Sequence, residues 1–212
     1  RARVMRVPVA REGWGFILGP AVVAALLGFF GWWGAALPFA MLAAACAAFF
    51  RDPDRVPPDV AGALLAPADG RVMEIREVSD PHVGEAVRLS IFLSPLDVHV
   101  NRSPIAGLVT DVEYRPGRFL AAYLSQASEV NERCTLGLQG ETARVRVRQI
   151  AGVLARRIVC RVRAGDKLGA GERFGMIRFG SRTDLLVPKE SVLRVRQGDR
   201  VRGGETVIGV LR

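Results

Sequence analysis

Two stretches near the C-terminal end share one pattern: "GDKLGAGERFGMI" at residues 165–177 and "GDRVRGGETVIGVL" at residues 198–211. Each contains Gly-Asp, an apolar residue two positions later, Gly-Glu, and then apolar residues with another glycine. A Gly-Asp turn that leads into a short strand and a second tight turn is typical of a hairpin. The sequence therefore predicts two similar hairpins in this part of the chain.

The earlier stretch "APADGRV" (66–72) has a similar run of small residues, glycine and an apolar residue. Together the three patterns resemble the barrel sandwiches of biotinyl- and lipoyl-carrier domains. Those carriers are modified on a lysine in an exposed hairpin, but Lys167 and Lys189, the two lysines of this chain, have no comparable position. The resemblance therefore predicts the fold but not the carrier function. The alternative is that the repeated patterns are ordinary turns without deeper symmetry.

The region before the repeats reads as short strands with few helices. Residues 118–133 are expected to contain one or two helical turns. The strands are predicted from alternating or continuous apolar residues with many β-branched side chains, at 70–78, 86–94, 107–115, 143–152 and 156–164. The predicted fold class is mainly β, with a barrel-sandwich-like domain.

The N-terminal part has a different character, because residues 13–50 contain no charge. One helix of that length would measure about 57 Å, whereas a bilayer core is about 30 Å thick. We therefore predict two transmembrane helices, 14–30 and 33–50, joined by "GWWG" at 31–34. Arginines flank the pair on both sides, which places both ends in the cytoplasm by the positive-inside rule. A buried helical hairpin and a signal peptide are the alternatives.

The predicted organisation is a membrane anchor at 1–50, a Pro- and Asp-rich linker at 51–62 and a β domain at 63–212. The net charge of +9 beside a membrane anchor favours anionic lipid headgroups over nucleic acid as the partner. The three cysteines form no CxxC pair, which suggests neither a zinc site nor a disulfide framework. Localisation at the inner membrane, with the β domain on the cytoplasmic side, follows.

The candidates for chemistry are few. The two histidines are His82, in a turn-like segment, and His99, in a short apolar segment between prolines.

The dipeptide Gly180-Ser181 interrupts "RFGMIRFGSRTDLLVP" (173–188), where a strand would favour β-branched residues. A serine hydroxyl can attack the preceding carbonyl if the backbone is strained, and glycine permits that geometry. Elimination from the resulting ester produces a pyruvoyl group, an electron sink for amine substrates. A bulge or turn is the ordinary alternative.

Four motifs in order resemble the phosphatidylserine decarboxylase family, in its short form with an N-terminal membrane hairpin. They are "APADGRV", "FLSPLDVHVNRSPIAG" (92–107), "FLAAYLSQASEVNER" (119–133) and "GERFGMIRFGSRTDLLVP" (171–188). The resemblance covers about residues 50–212. It implies a proenzyme that cleaves itself between Gly180 and Ser181 into a β chain, 1–180, and an α chain, 181–212.

The same resemblance implies a pyruvoyl cofactor derived from Ser181, with no metal and no diffusible cofactor. Asp69 and His99 match the family residues implicated in activating the serine. The substrate would be phosphatidylserine, bound as a Schiff base and decarboxylated to phosphatidylethanolamine, with His99 returning the proton. Membrane lipids and the two chains themselves are the expected partners, nucleic acid is not, and a homodimer is left open.

Two positions depart from the long members of the family. Arg102 stands where they have a second histidine, and a guanidinium is a poor base, so either His99 serves both steps or Asp69 acts more directly. Arg182 follows the cleavage site and is expected to contact a lipid phosphate or to form a surface salt bridge. Two other functions stay open: a pyruvoyl decarboxylase of another amino headgroup, and a membrane-anchored barrel-sandwich module without catalysis.

Overall fold

The computed structural model describes residues 8–121, 124, 126–153, 157–178 and 181–211, with Ser181 described by its backbone. The chain divides into two compact units, Arg1–Asp54 and Arg55–Arg212. The first unit contains two long helices and the second contains all the named strands. We refer to them as the helical unit and the β unit.

The helical unit is a pair of apolar helices, α1 at Trp14–Phe29 and α2 at Trp33–Phe49, preceded by a 3-10 turn at Arg11–Gly13. α2 begins at Trp33 as predicted, and each helix ends one residue earlier than predicted, so residues 30–32 form the turn. The continuous helix Arg11–Phe29 is long and apolar enough to cross a membrane, by length and composition, whereas α2 is shorter. The predicted helix pair is confirmed, and one helix of it meets the length of a membrane span.

The β unit consists of one large antiparallel sheet and two small ones. The large sheet has the strand order β13-β2-β3-β11-β7-β6-β5-β9, and the small sheets have the orders β1-β14-β12 and β4-β10-β8. A single helical turn, α3 at Ala127–Val130, lies where helical turns were predicted. The strands are β1 Ala63–Leu65, β2 Gly70–Asp80, β3 Gly84–Leu93, β4 Val100–Arg102, β5 Gly107–Arg115, β6 Arg133–Gln139, β7 Arg144–Ile150, β8 Arg157–Cys160, β9 Lys167–Leu168, β10 Arg173–Arg178, β11 Ser181–Pro188, β12 Val192–Leu193, β13 Arg200–Val201 and β14 Val207–Val210.

The large sheet curls around one hydrophobic core. Side chains along each strand alternate between its two faces, so every second residue faces this core. Leu185 and Val187 of β11 point to the inner face and join a fully buried cluster with side chains from several neighbouring strands, among them Leu89, Ile91, Leu136, Leu138, Val145 and Val147. The even-numbered residues Arg182 and Asp184 occupy the outer face, where they are buried as well. The mainly β, barrel-sandwich-like fold class is confirmed.

The predicted repeat is a structural repeat. In both copies a Gly-Asp turn leads into a two-residue strand, a second turn and a longer strand. Gly165 and Gly198 open the copies with φ angles of 95° and 98°, a backbone region that glycine occupies without strain. The carboxylates of Asp166 and Asp199 each accept a hydrogen bond of 2.8 Å from the backbone N–H three residues earlier.

Each copy pairs with its own earlier segment, and the two arrangements match. The first half of the β unit joins residues 66–72 to 198–206, and the second half joins residues 103–109 to 165–172. The N–H of Val72 donates to the carbonyl of Asp199 (2.9 Å) in the first half, and Val109 donates to Asp166 (2.8 Å) in the second. In the same way, Gly204 donates to Ala66 in the first half and Gly171 donates to Ser103 in the second (2.8 Å each). The β unit is therefore built from two halves with the same pairing pattern, so the repeat extends beyond two ordinary turns.

Two cysteines that are far apart in the sequence are neighbours in the fold. The thiols of Cys134 on β6 and Cys160 on β8 are both free and hydrogen-bond to each other. This hydrogen bond lowers the pKa of Cys160 to about 7, against the effect of burial. The same hydrogen bond and burial raise the pKa of Cys134.

Candidate functional site

The stretch around Gly180-Ser181 forms two strands in two different sheets. β10 ends at Arg178 in a small sheet, and β11 begins at Ser181 in the large sheet. The interpretation of this stretch as one interrupted strand is therefore wrong. Phe179, Gly180 and the side chain of Ser181 lie outside the described residues. The Gly-Ser bond falls where the chain passes from one sheet to the other.

β11 begins at one edge of the large sheet, between β3 and β7. Ser181 is opposite Leu93 at the end of β3, and Arg182 is opposite Ile150 at the end of β7. We call this the Ser181 edge; it comprises the starts of β2, β6 and β11 and the ends of β3, β5 and β7. Any group that acts on the Gly-Ser bond has to come from this edge or from the small sheet beside it.

Asp69 lies at the Ser181 edge, one residue before β2. Since β2 is two strands away from β11, their backbones are about 10 Å apart at a spacing of about 4.8 Å per strand. The Asp69 carboxylate accepts two hydrogen bonds from the guanidinium of Arg55, one of them 2.7 Å long. It accepts a third, of 2.8 Å, from the backbone N–H of Gly203. These contacts tie the start of the β unit to the second repeat.

His99 precedes β4 in the small sheet and is fully buried. Its Nδ1 lies 2.9 Å from the backbone carbonyl oxygen of Asp97. A carbonyl oxygen only accepts hydrogen bonds, so Nδ1 carries the proton and Nε2 of the neutral ring is an acceptor. The backbone carbonyl of His99 accepts a hydrogen bond of 3.2 Å from the N–H of Ile177, three residues before Gly180. His99 is thus a base-competent side chain beside the end of β10.

Asn101 connects the same segment to the other side of the Gly-Ser bond. Its Nδ2 donates to Oγ1 of Thr183 on β11 at 3.2 Å, and its Oδ1 accepts from Nε2 of Gln149 on β7 at 2.8 Å. All three side chains are buried. Residues 99–101 therefore contact the chain on both sides of the Gly180–Ser181 bond. Sequence reasoning missed Asn101, although a position two residues from His99 shares its face in an extended segment.

The turn before His99 is held by Asp97, which sequence reasoning also missed. Its Oδ2 accepts hydrogen bonds from the backbone N–H and the hydroxyl of Ser94, at 2.8 and 2.7 Å. Its Oδ1 accepts from Arg200 at 3.1 Å. Because the carbonyl of the same residue receives Nδ1 of His99, this turn fixes the orientation of the imidazole ring.

Arg102 and Arg182, the two positions that depart from the long members of the family, are both buried. Arg182 is 1% exposed on the outer face of the sheet, and it donates to Asp184 and to Ser90, each at 2.6 Å. The expected salt bridge of Arg182 is present, with Asp184, but it is buried and does not lie at the surface. Arg102 is buried and donates to the carbonyl oxygen of Gly171 at 3.2 Å, between the two repeats.

In the part of the chain that the structure describes, no cluster of His, Cys, Asp and Glu side chains is suited to hold a metal ion. His82, the other histidine, occupies the turn between β2 and β3, with its Nδ1 3.6 Å from the Asp111 carboxylate. That turn is at the opposite edge of the large sheet from Ser181. The described site therefore consists of His99 and its supporting side chains beside the Gly-Ser bond.

Comparison with known proteins gives sequence matches over most of the chain. The sequence model of the family described as phosphatidylserine decarboxylase matches residues 42–209. A phosphatidylserine decarboxylase proenzyme of Symbiobacterium thermophilum is 52% identical over 211 residues, which cover 98% of each chain. The proenzymes of Nitrosomonas eutropha and Burkholderia mallei are each 47% identical, over 96% of this chain and 95% of theirs.

These matches define the class of protein as a decarboxylase, which is a lyase. The chain belongs to the phosphatidylserine decarboxylase family, as its motifs predicted.

Proposed function

We propose that this protein converts phosphatidylserine to phosphatidylethanolamine and generates its own pyruvoyl cofactor from Ser181. The names of the family and of its relatives support the reaction. The observation that carries the site assignment is the contact of residues 99–101 with both sides of the Gly180–Ser181 bond: the carbonyl of His99 binds the N–H of Ile177, and Asn101 binds Thr183.

Self-cleavage uses His99 as the base. Nε2 of His99 accepts the proton of the Ser181 hydroxyl while the Ser181 oxygen attacks the carbonyl carbon of Gly180. The peptide bond breaks, the proton passes to the nitrogen of Ser181, and an ester replaces the amide. Removal of the Cα proton of residue 181 then expels Gly180 as a carboxylate and leaves a double bond between Cα and Cβ. Addition of water releases ammonia and leaves a ketone at the new N-terminus.

In the mature enzyme the pyruvoyl ketone supplies an acceptor for the substrate amine and for the electrons released with CO2. Nδ1 of His99 stays protonated because it donates to the carbonyl oxygen of Asp97, so Nε2 is the atom that exchanges a proton with the substrate Cα. Full burial of the ring keeps bulk water from competing for that proton. Asn101 and Asp97 act as positioning residues, since they hold the segment that carries His99.

Asp69 is proposed as a further positioning residue. Its carboxylate joins Arg55 to the backbone of Gly203, and it immediately precedes the glycine that begins β2. This arrangement supports a role in aligning the Ser181 edge. Comparing the processing rates of Asp69→Asn and Arg55→Met separates this positioning role from a direct role of Asp69 in self-cleavage.

The two chains produced by cleavage are expected to stay associated. The α chain, 181–212, contains β11, which pairs with β3 over its whole length and also with β7. The same chain supplies β13 and β14, which pair with β2 and β1 of the β chain. Dissociation would separate four pairs of strands and expose buried side chains such as Leu185 and Ile208.

The proposed organisation is an anchor at 1–50, a linker at 51–62 and a catalytic domain at 63–212. The apolar helix Arg11–Phe29 supports membrane attachment. Arginines on both flanks of the helix pair support the cytoplasmic side of the inner membrane for the catalytic domain.

The test is the mass of the purified chain. Intact-mass measurement should give two fragments, the smaller beginning at residue 181 with a pyruvoyl group, and Ser181→Ala should stay as one chain without activity. His99→Ala should slow processing by about 10²-fold or more, the usual contribution of a positioned base. His82→Ala is the matched control and should process normally. A Ser181→Ala chain that still splits would contradict the proposal.

The headgroup is tested separately on the processed enzyme. Vesicles that contain phosphatidylserine should release CO2 and accumulate phosphatidylethanolamine, detected by mass. Vesicles with another amino acid headgroup should react much more slowly. A processed enzyme that prefers the other headgroup would support the alternative of a different pyruvoyl decarboxylase.

A further inference from the structure

Exposed apolar side chains of the β unit concentrate at the Ser181 edge. Leu96, in the loop after β3, is 83% exposed, and Val153, in the loop after β7, is 55% exposed. The connection between β5 and β6 adds the exposed side chains of Phe119, Leu124 and Val130. We call these five residues the apolar rim. Several large apolar side chains exposed along one edge indicate a binding surface.

Leu96 is held outward by a closed turn. Asp97 accepts two hydrogen bonds from Ser94 through its carboxylate and donates its own N–H to the Ser94 carbonyl at 2.9 Å. Arg200 binds the same carboxylate. The structure therefore holds the backbone that presents Leu96 with four hydrogen bonds, so the exposure of this side chain is a property of the fold.

The other loops of the apolar rim are joined by one buried side chain, Asn131. Its Oδ1 accepts from the N–H of Leu120 at 3.0 Å, and its Nδ2 donates to the carbonyls of Leu120 and Ala151 at 2.8 Å each. The backbone N–H of Ala151 also donates to the carbonyl of Glu132 at 2.9 Å. Asn131 thus fixes the loop that carries Phe119 relative to the loop that carries Val153.

Positive charge lies next to the apolar rim. Arg157 at the start of β8 is exposed and lies opposite the end of β10, beside the Gly-Ser bond. Arg118 is exposed on the connection between β5 and β6. Apolar side chains flanked by arginines match the interface of a bilayer, which has apolar chains below a layer of anionic phosphates.

We infer that the Ser181 edge docks directly onto the bilayer surface, with the apolar rim in the headgroup region and the arginines on lipid phosphates. The inference rests on the proposed function, because it supposes that the substrate is a lipid held in that bilayer. Docking at this edge lets a lipid headgroup reach the start of β11 without leaving the membrane. The apolar rim is then a determinant of activity at an interface, separate from the helical unit.

The test compares a membrane-embedded substrate with a dissolved one, using the full processed protein. Leu96→Asp, Val153→Asp and the double variant are assayed on phosphatidylserine in vesicles and on short-chain phosphatidylserine dissolved below its micelle concentration. Val192→Asp and Leu108→Asp are matched controls, since these side chains are about 40% exposed and lie outside the Ser181 edge. Leu108 is at the opposite edge of the large sheet, and Val192 is in the small sheet β1-β14-β12. The double variant should lose about tenfold or more on vesicles, from the lost insertion of two apolar side chains.

The expected signature is selective. Activity of the rim variants on the dissolved substrate should stay within about twofold of the parent, and the controls should be unchanged on both substrates. Equal losses on both substrates, or equal behaviour of rim and control variants, would overturn the inference. A change in oligomeric mass of the rim variants with unchanged vesicle activity would also overturn it and would assign the edge to a second copy of the chain.

A second measurement does not depend on catalysis. Leu96→Trp and Val192→Trp are reconstituted in vesicles with brominated lipid, and the emission that each adds over the parent protein is recorded. The emission added by tryptophan at 96 should be blue-shifted and quenched, and that at 192 should not. Equal quenching at both positions would contradict docking at the Ser181 edge. A parent enzyme that processes but decarboxylates neither substrate would count against the proposed function, whatever the quenching result.

Discussion

The two halves of the β unit share a backbone plan and differ in the residue that precedes the glycine of their long strand. In the first half this residue is Asp69, before Gly70, and in the second it is Ala106, before Gly107. Asp69 binds Arg55 and the backbone of Gly203, whereas an alanine side chain makes no such contacts. The repeat therefore supplies equivalent backbone positions, and the side chain at each position decides which contacts are made there.

The halves also differ in how their long strands are connected. β2 and β3 are joined by a turn of three residues, 81–83, whereas β5 and β6 are joined by residues 116–132. The short turn lies at the edge opposite Ser181, and the long connection lies at the Ser181 edge, where it contributes to the apolar rim. The longer connection therefore lies at the same edge of the sheet as the candidate site.

The largest expected effect tests the shared backbone plan. A Cβ atom at Gly70 would lie 2.1 Å from the carbonyl oxygen of Phe92, and one at Gly107 would lie 2.5 Å from that of Gln139. Gly70→Ala and Gly107→Ala should each lower the free energy of unfolding by about 4 kcal/mol or more, since backbone has to move. Thermal unfolding in detergent, in a Ser181→Ala background that keeps one chain, measures the loss.

The controls for that pair are Gly165→Ala and Gly198→Ala, which strain a positive φ but meet no atom within 4 Å. Each should cost only about 1 kcal/mol, and the two costs should be equal. A large difference between the halves at either pair would break the comparison, because it would show that the matched positions are not equivalent.

A smaller effect is expected at the short turn of the first half. Burial alone would raise the pKa of Asp80, but hydrogen bonds from the N–H groups of His82 and Val83 and the charges of Arg146 and Arg148 hold it below its usual value of 3.8. Asp80→Asn should cost about 3 kcal/mol at pH 7, because it breaks a buried ion pair. The measurement is the unfolding free energy of variant and parent at pH 7 and at pH 3.

The pH dependence has a defined sign. A carboxyl group whose pKa is lower in the folded state stabilises the protein above its unfolded pKa, and this contribution is lost as the pH falls through the folded pKa. The difference in unfolding free energy between parent and Asp80→Asn should therefore be largest at pH 7 and shrink below about pH 4. A gap that is constant between pH 7 and pH 3 would show that the charge of Asp80 does not hold the turn.

An effect smaller than that of Asp80→Asn separates the two possible functions of Asp69. If the contact with Arg55 only clamps the first half, Asp69→Asn and Arg55→Met should each cost about 2 kcal/mol and slow processing to the same degree. If Asp69 also assists self-cleavage, Asp69→Asn should slow processing at least tenfold more than Arg55→Met. Unfolding free energies and cleavage time courses of both variants distinguish the two outcomes.

Local patterns in the sequence were sufficient for much of the fold. The repeat at 165–177 and 198–211 predicted matching hairpins, because Gly-Asp turns act through their own residues, and strand β5 was predicted with its observed bounds. The apolar helices were predictable for the same reason. Strand partners were not, since the pairing of β11 with β3 and β7 joins residues about 90 and 35 positions apart in the sequence.

The candidate site was predicted less completely. His99 was found because its segment matches a motif of the family, whereas the roles of Asn101 and Gln149 depend on non-local contacts. The burial of Arg182 was missed because its partners Asp184 and Ser90 make sense only once β11 lies beside β3. The sequence of one strand does not show whether a polar residue in it has a buried partner on the neighbouring strand.

The passage of the chain from β10 to β11 has a mechanical consequence. The bond proposed for cleavage joins the end of β10 in one small sheet to the start of β11 in the large sheet. The same two sheets are also connected by the chain between β3 and β4, and Asn101 bonds to Thr183 and Gln149 across them. Under the proposed function, cleavage therefore releases the new N-terminus from β10, while these contacts keep the start of β11 next to the segment that carries His99.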